Sequence, residues 1–314
     1  MDPLGSRLRS FAGTYPELIS VLVAAVVGLT VQGPLAWLAS HQGIDVLLAL
    51  LVFATALTIE PARLHRLAGA WRPLLAAVAT GIVVLPALSW VASRLVAAGS
   101  LRDGVMVAGL APCEIASVAT TAMAGGEAAL SAGVLIGSTM ATVLLAGPVL
   151  AIEAGHARIH PAGIIVNLAL VVALPLAAGL LIRGLTSLGD RGERSANVTA
   201  VASVASLVAL IAAEVHLSVP YLAVALAFVV FLVLSAVLGR LLGAGSHRRA
   251  GRALLLTTSM RDFAIAADLA VAAFGPSAAA PLGVYGILVL VWATAAAGIL
   301  RQRGPANPPR SVSG

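Results

Sequence analysis

The sequence predicts an all-α integral membrane protein in which the whole chain forms one transmembrane domain. Sixty per cent of its 314 residues are hydrophobic and only ten per cent are charged, whereas roughly a quarter of residues are charged in soluble domains. The mean hydropathy is +1.03. Long apolar runs recur along the chain, and about 20 such residues cross a bilayer as a helix. These observations indicate a multi-pass helical protein.

Ten apolar spans can be placed on the chain, with nine as the alternative because the second span is short and the first contains Gly33 and Pro34. They lie at residues 17–38, 44–59, 73–98, 102–123, 128–153, 161–183, 196–214, 218–243, 253–274 and 278–300. We interpret the first span as a retained helix, because no small-residue cleavage site follows it. The longest polar segments are the linker 183–195 and the tail 301–314. We expect the tail to be disordered and cytoplasmic, and the domain to be continuous over residues 1–314.

The arginines predict the orientation of these spans. All 19 basic residues are arginine, and with the N-terminus inside, fifteen fall on the cytoplasmic side and three on the other, while Arg261 lies within a span. Positive residues accumulate in cytoplasmic loops. We therefore expect both termini in the cytoplasm and a location in the cell (inner) membrane. The same bias explains the high pI, so no nucleic-acid partner is expected.

The span 102–123 is interrupted by Pro112, Cys113 and Glu114. An ionised carboxylate near the bilayer midplane costs about 2.5–3.5 kcal/mol. Proline removes a backbone N–H and clashes with the preceding turn, and unwound backbone at this depth is tolerated only inside protein or along a cavity. The pattern predicts a broken helix whose polar groups face the interior of the protein.

A second interruption, at Arg261 and Asp262, lies in the span 253–274. Residues 114–119 and 262–267 align at an offset of 148, close to half the chain. Self-similar halves with interrupted spans in corresponding positions indicate a secondary transporter with a midplane site. We expect a first repeat at 17–153 and a second at 161–300. A chance likeness between two alanine-rich helices is the alternative.

Three segments resemble the bile acid:sodium symporter superfamily, which also contains arsenite-efflux proteins and carriers of small organic anions. They are residues 56–59 with the basic loop 63–66, residues 112–131, and residues 260–275. The resemblance implies ten transmembrane helices in two inverted five-helix repeats. It further implies that the fourth and ninth helices are broken and cross at the midplane.

The resemblance also implies where sodium would bind, and here the sequence departs from the family. Ser117 is retained, but other sodium-site positions of the family fall on Gly81, Val118, Thr257 and Arg261. These residues lack the amide and carboxylate groups expected there, and Arg261 places a cation where a cation would bind. The coupling ion, Na⁺ or H⁺, is left open, and transport without sodium is our hypothesis. No other cofactor is expected.

Arsenite efflux is the nearer alternative within the superfamily. Cys113 directly follows Pro112 as in that branch, and a thiolate is a soft ligand suited to such an oxyanion. However, Ala264 stands where that branch carries a glutamate. A lone buried cysteine also serves as a small apolar packing residue.

The candidate substrate- or ion-binding residues are the polar groups around the two interruptions. They are Cys113, Glu114, Ser117, Thr121, Thr258, Ser259, Arg261 and Asp262. Glu114 could form a purely structural ion pair with Arg261, or act in binding, as intramembrane acids generally do. Asp268 lies on another helical face, and a structural and a functional role are equally favoured for it.

The leading hypothesis is a carrier that moves a small organic anion by alternating access. The anion would be attracted by Arg261, unless the acids already neutralise that residue. The expected partners are this anion and the lipid bilayer; the oligomeric state is left open. A membrane-embedded enzyme or a channel is the alternative from another class. We expect no enzyme, because the spans carry no hydrolase or metalloprotease motif and the six histidines lie in loops or at span ends.

Overall fold

The computed structural model of the protein describes residues 16–59, 70–153, 160–213, 215 and 219–302. Within these ranges the regular structure is helical, apart from one isolated β-bridge. The α-helices are α1 (Pro16–Thr30), α2 (Gln32–Leu38), α3 (Ile44–Ala56), α4 (Trp71–Ser93), α5 (Ser100–Val107), α6 (Ser117–Met123), α7 (Ala128–Glu153), α8 (Pro161–Leu168), α9 (Leu174–Leu185), α10 (Asp190–Ala213), α11 (Pro220–Leu242), α12 (Arg248–Ser259), α13 (Phe263–Phe274) and α14 (Ala280–Gln302). The all-α class is confirmed. The predicted tail and the basic loop 63–66 lie outside the described residues.

Six helical segments in the described ranges are long and apolar enough to cross a membrane. They are Trp71–Ser93, Ala128–Glu153, Pro161–Leu185, Asp190–Ala213, Pro220–Leu242 and Pro276–Arg301. Ile44–Ala56 and Phe263–Phe274 are apolar but shorter. The segment Pro161–Leu185 is continuous because a π-helical stretch, Ala169–Ala173, joins α8 to α9.

The first predicted span, 17–38, is divided in the structure. Helix α1 ends at Thr30, and α2 runs from Gln32 into a π-helical stretch, Ala39–Gly43, that joins it to α3. Pro34 explains the division, because its ring would clash with the carbonyl four residues earlier, which is that of Thr30. The boundary placed between the spans 17–38 and 44–59 is therefore wrong, because residues 39–43 are helical and the chain instead breaks before the proline.

Both predicted interruptions are present. Helix α5 ends at Val107 and α6 begins at Ser117, while α12 ends at Ser259 and α13 begins at Phe263. Around them, α10 packs on α1 and α3, α12 on α11, and α4 on α7.

A glycine brings the first interruption against α4. A Cβ added to Gly109 would lie 2.4 Å from the carbonyl oxygen of Leu85 in that helix, so only glycine allows this approach. Small residues permit such close backbone contact between membrane helices. The Ser89 hydroxyl reinforces the contact by donating to the carbonyl of Met106, at 2.7 Å.

Candidate functional site

The two interruptions pair with each other through an antiparallel bridge between Cys113 and Arg261. The amide of Glu114 donates to the carbonyl of Met260 at 2.9 Å, and the amide of Asp262 donates to the carbonyl of Pro112 at 3.0 Å. Unpaired backbone groups are costly where water is excluded. Each unwound segment therefore supplies hydrogen-bond partners to the other.

The bridge joins residues that the sequence alignment makes equivalent. Cys113 lies opposite Arg261, and these positions differ by the same 148 residues as Glu114 and Asp262, the two amide donors. The flanking helices follow nearly the same spacing: α5 and α12 begin at residues 100 and 248, which are 148 apart, and α4 and α11, both of 23 residues, begin at residues 71 and 220, which are 149 apart. The correspondence thus extends beyond the alanine-rich match.

The backbone of the bridge is extended, so its side chains project alternately to two opposite faces. Paired residues project to one face and their chain neighbours to the opposite face. Cys113 and Arg261 therefore share one face, and Glu114 and Asp262 share the other.

The guanidinium of Arg261 is fully enclosed. The side chain is 1% exposed and donates to the carbonyl of Ala111, while the Arg261 amide donates to the Tyr285 hydroxyl at 3.2 Å. A Cβ added to Gly81 would lie 3.3 Å from one guanidinium nitrogen. The ends of α5 and α12 point towards this region, and helix C-termini carry partial negative charge that favours a cation.

Arg261 does not form the ion pair that the sequence suggested. Among the described residues, Arg183 pairs with Glu193 and the His247 ring lies 3.1 Å from the Glu127 carboxylate, and neither contact involves Arg261. Pairing of Arg261 with Glu114 was therefore a wrong alternative, and the physical reason is that the two side chains project from opposite faces of the bridge.

The carboxylates of Glu114 and Asp262 each retain unused hydrogen-bonding capacity. Asp262 caps α13, because its Oδ1 accepts hydrogen bonds from the amides of Ala264 (3.0 Å) and Ile265 (2.9 Å). Its Oδ2 and the Oε2 of Glu114 are buried without a hydrogen-bond partner among the described residues. Buried unsatisfied oxygens are costly, so these atoms are available to a bound ligand, ion or proton.

A cavity of about 410 Å³ lies beside the first interruption, within the usual range of ligand pockets. Helices α3, α6, α7, α10, α13 and α14 contribute to its walls, which are mostly apolar. Its polar lining residues are Thr55, Thr58, Glu114, Glu193 and Asn197. Among the eight sequence-predicted candidates, Glu114 is the one that lines this cavity.

The other four polar lining residues lie far from both interruptions in the sequence and were not predicted. Thr58 falls in one of the segments that carry the family resemblance. Asn197 is an amide inside the predicted span 196–214, which is the signal that could have identified it. Glu193 was assigned to a polar linker, whereas it lies in the first turn of α10.

Cys113 is packed away from the cavity. It is 0% exposed, and its amide donates to the Ser138 hydroxyl at 3.1 Å. The Ser117 hydroxyl lies 3.8 Å from its sulfur, and the Thr121 hydroxyl donates to that of Ser131 at 3.3 Å. These contacts fit packing between α6 and α7, and an arsenite-binding role for the thiol is not favoured.

Two hydroxyls lie in the last turn of α12. The Ser259 hydroxyl donates to the carbonyl of Leu255 at 2.8 Å and accepts from the Trp292 indole at 2.9 Å. The Thr258 hydroxyl is buried without a partner among the described residues. Ser259 thus joins α12 to α14, and a binding role for Thr258 stays a prediction.

Asp268 belongs to a separate polar cluster. It is 2% exposed, and the Asn167 amide nitrogen lies 3.2 and 3.1 Å from its two carboxylate oxygens. Asp45 is a further side-chain neighbour. The cluster joins α13 to α8 and α3 and does not contribute to the cavity lining.

An all-helical chain in which two interrupted helices meet beside a cavity is typical of membrane transporters. The comparisons with known proteins agree: the model of the sodium bile acid symporter family matches residues 45–222, more than half of the chain. The protein belongs to this family and is a multi-pass membrane transporter. The match contains the first interruption and ends before the second. No curated protein matches the chain.

Proposed function

We propose that this transporter works by alternating access around the crossing of its two interrupted helices, within ten membrane spans arranged as inverted repeats at 17–153 and 161–300. The bridge between Cys113 and Arg261 carries the proposal, because it joins equivalent positions. A two-fold axis that interchanges the two repeats would convert each of its two hydrogen bonds into the other. Transporters of this design bind their substrate near such a crossing.

The lining of the cavity reaches the ends of the helices that the arginines assign to the cytoplasm. The cavity is lined by the end of α6 at Ala122 and by the starts of α7 and α10 at Ala128 and Glu193. At the same end, Arg252 donates to the carbonyl of Ala124 at 2.7 Å. These are the arginine-rich ends of the helices, which supports an inward-facing state with both termini in the cytoplasm.

We further propose that Arg261 replaces a coupling sodium ion. The family resemblance assigns both Gly81 and Arg261 to a sodium site, and in the structure the guanidinium lies against Gly81. The hydroxyl of Thr257, from the same site, donates within its own helix to Ala253 at 2.8 Å. A fixed guanidinium near two helix C-termini supplies the positive charge that an ion would supply. Transport would then be driven by protons or by the substrate gradient.

Thermal unfolding of the purified protein tests the coupling. We expect equal midpoints in sodium chloride and choline chloride. The double variant Arg261→Gln, Thr257→Glu should gain sodium-dependent stabilisation, whereas the control variant Arg252→Gln should not. Saturable stabilisation of the unmodified protein by sodium would show the proposal to be wrong.

Accumulation in proteoliposomes tests the transport mechanism. A panel of labelled organic solutes is offered with an imposed proton gradient, with and without sodium. Gradient-dependent accumulation against a concentration difference is expected of a carrier. Equilibration that saturates with solute concentration would indicate a carrier driven by the substrate gradient, and equilibration without saturation would indicate a channel. Chemical conversion of a solute would indicate an enzyme.

A further inference from the structure

Glu114 and Asp262 place two carboxylates together at the crossing of the interrupted helices. Both residues are buried, at 3% and 0% exposed. The Glu114 carboxylate lies within hydrogen-bonding reach of the Phe263 amide, which follows the second interruption. The Asp262 carboxylate is placed likewise against the Ile115 amide, in the first interruption. Each acid thus reaches the amide that follows the other acid, so the two carboxyl groups meet at the junction of the proposed repeats.

One cation accompanies the two acids. Arg261 is an electrostatic neighbour of Asp262. Among the described residues, the other titratable groups at the crossing are the Cys113 thiol and the Tyr285 hydroxyl, which are neutral in their usual forms. Two ionised acids beside one guanidinium would leave one buried negative charge uncompensated, and a buried group in that position neutralises instead. The cluster is therefore neutral when one of its acids carries a proton.

The surroundings of the two acids differ in a way that selects between them. Oδ1 of Asp262 accepts hydrogen bonds from two backbone amides at the start of α13, at 3.0 and 2.9 Å, and a helix N-terminus favours a negative charge. Glu114 has Asp262 as a charged neighbour of the same sign. From α10, Glu193 faces the same cavity as Glu114, but it is already paired with Arg183. Of these acids, Glu114 is thus the one on which a proton is most favourable.

We propose that Glu114 and Asp262 form a proton-binding site, which holds one proton on Oε2 of Glu114. This oxygen is buried without a partner among the described residues. Glu114 also lines the cavity, so the proton can exchange with water there. The bound proton removes the excess negative charge of the crossing and converts a carboxylate into a hydrogen-bond donor.

The role of this site rests on the transport function proposed above. An ionised Glu114 would repel the small organic anion expected from the sequence, because like charges repel strongly in a poorly solvated site. The protonated form removes this repulsion and presents an O–H group to the cavity. Protonation of Glu114 would therefore decide whether an anion can enter.

The pH dependence of thermal unfolding tests the site on the purified full-length protein. The unfolded chain releases this proton below neutral pH, whereas the folded protein retains it, so the unfolding midpoint should fall as the pH rises from about 6 to about 9. Glu114→Gln resembles the protonated acid and should weaken the dependence by the share of one proton. Asp262→Asn should do the same, because Arg261 would then neutralise an ionised Glu114. The double variant should show no further loss.

Glu193→Gln is the matched control, because it removes the other acid of the cavity wall, which is ionised and paired in the folded protein. Its pH dependence should equal that of the unmodified protein. Infrared difference spectra between acid and alkaline pH read the proton directly, since a protonated carboxyl group has a C=O stretch that disappears on ionisation. One component of this band should be missing in Glu114→Gln, kept in Glu193→Gln and shifted in D2O.

An unchanged carboxyl band in Glu114→Gln, or a pH dependence equal to that of the unmodified protein, would overturn the inference. The proposed function fails differently. A carboxyl band that depends on Glu114, in a protein that moves no labelled organic solute across proteoliposomes, would leave the proton site intact and refute transport. Accumulation of a solute by a protein whose band does not depend on Glu114 would refute the proton site alone.

Discussion

Gly81 and Arg261 occupy complementary positions, since the guanidinium fills the space that a side chain at position 81 would need. An added Cβ would lie 3.3, 3.4 and 3.7 Å from Nη2, Nη1 and Cζ. The absence of a side chain on α4 thus allows a large cation to be buried in the second interruption.

This complementarity predicts that one substitution has opposite effects in two backgrounds. Gly81→Gln should destabilise the unmodified protein by about 1–3 kcal/mol, because the longer side chain displaces the guanidinium. In an Arg261→Gln background it should restore stability by filling the vacated space, with a coupling of about 0.5–3 kcal/mol. Thermal unfolding of both single variants and the double variant measures this. Additive effects would show that the two positions do not interact.

Two substitutions distinguish the stabilisation that Asp262 provides as a helix cap from the effect of its charge. Asp262→Ala removes the acceptor for two amides of α13 and should cost about 0.5–2 kcal/mol. Asp262→Asn keeps an acceptor oxygen and should cost less. The two unfolding midpoints distinguish the cases, and equal losses would argue that the carboxylate charge, and not the cap, stabilises the helix start.

Cys113 should be chemically inert in the folded protein. Its side chain is 0% exposed, so a maleimide should modify it only after denaturation in SDS. Cys113→Ala should cost roughly 1 kcal/mol through lost packing. If arsenite raised the unfolding midpoint of the unmodified protein but not of Cys113→Ala, the thiol would be a ligand after all.

The Cys113→Ala background also allows the orientation to be tested. Ala122→Cys and Arg249→Cys, at the arginine-rich end, should react with an impermeant maleimide only after the membrane is permeabilised. Ala98→Cys, in the connection between α4 and α5, should react in intact cells. Labelling of Arg249→Cys from outside would contradict the assignment of this end to the cytoplasm.

The Asn167–Asp268 contact should contribute to stability away from the cavity. Asn167→Leu removes a donor that lies near both oxygens of a carboxylate that is 2% exposed, and should destabilise by about 1–3 kcal/mol. Asn197→Leu is the control, because it changes the cavity wall instead. An equal, small effect of both variants would mean that Asp268 does not depend on Asn167.

The sequence predicted features with a local cause. Charges in the middle of an apolar run, beside a proline in the first interruption, disrupt a membrane helix wherever the helix lies, so both interruptions could be located. The break after Thr30 also has a local cause, Pro34, but this proline was placed inside the span. The ten-span repeat arrangement and the roles of the site residues stay predictions.

Features that depend on packing between distant segments were not predictable. The face to which Arg261 projects depends on its register against Cys113, and a shift of one residue would exchange the two faces. Likewise, Glu193 and Asn197 reach the cavity because α10 packs on α1 and α3, which no local pattern reveals. The charged residues near the interruptions were thus predicted, but the face to which each side chain projects was not.

The two hydrogen bonds of the bridge are made entirely by backbone atoms, and this has a consequence for how the family can evolve. The junction holds the broken helices together whichever side chains Cys113 and Arg261 carry. A lineage can therefore exchange the chemistry of one face, for example an ion site for a fixed arginine, while the other face continues to select the transported molecule. Energy coupling and substrate choice can then diversify independently on one scaffold.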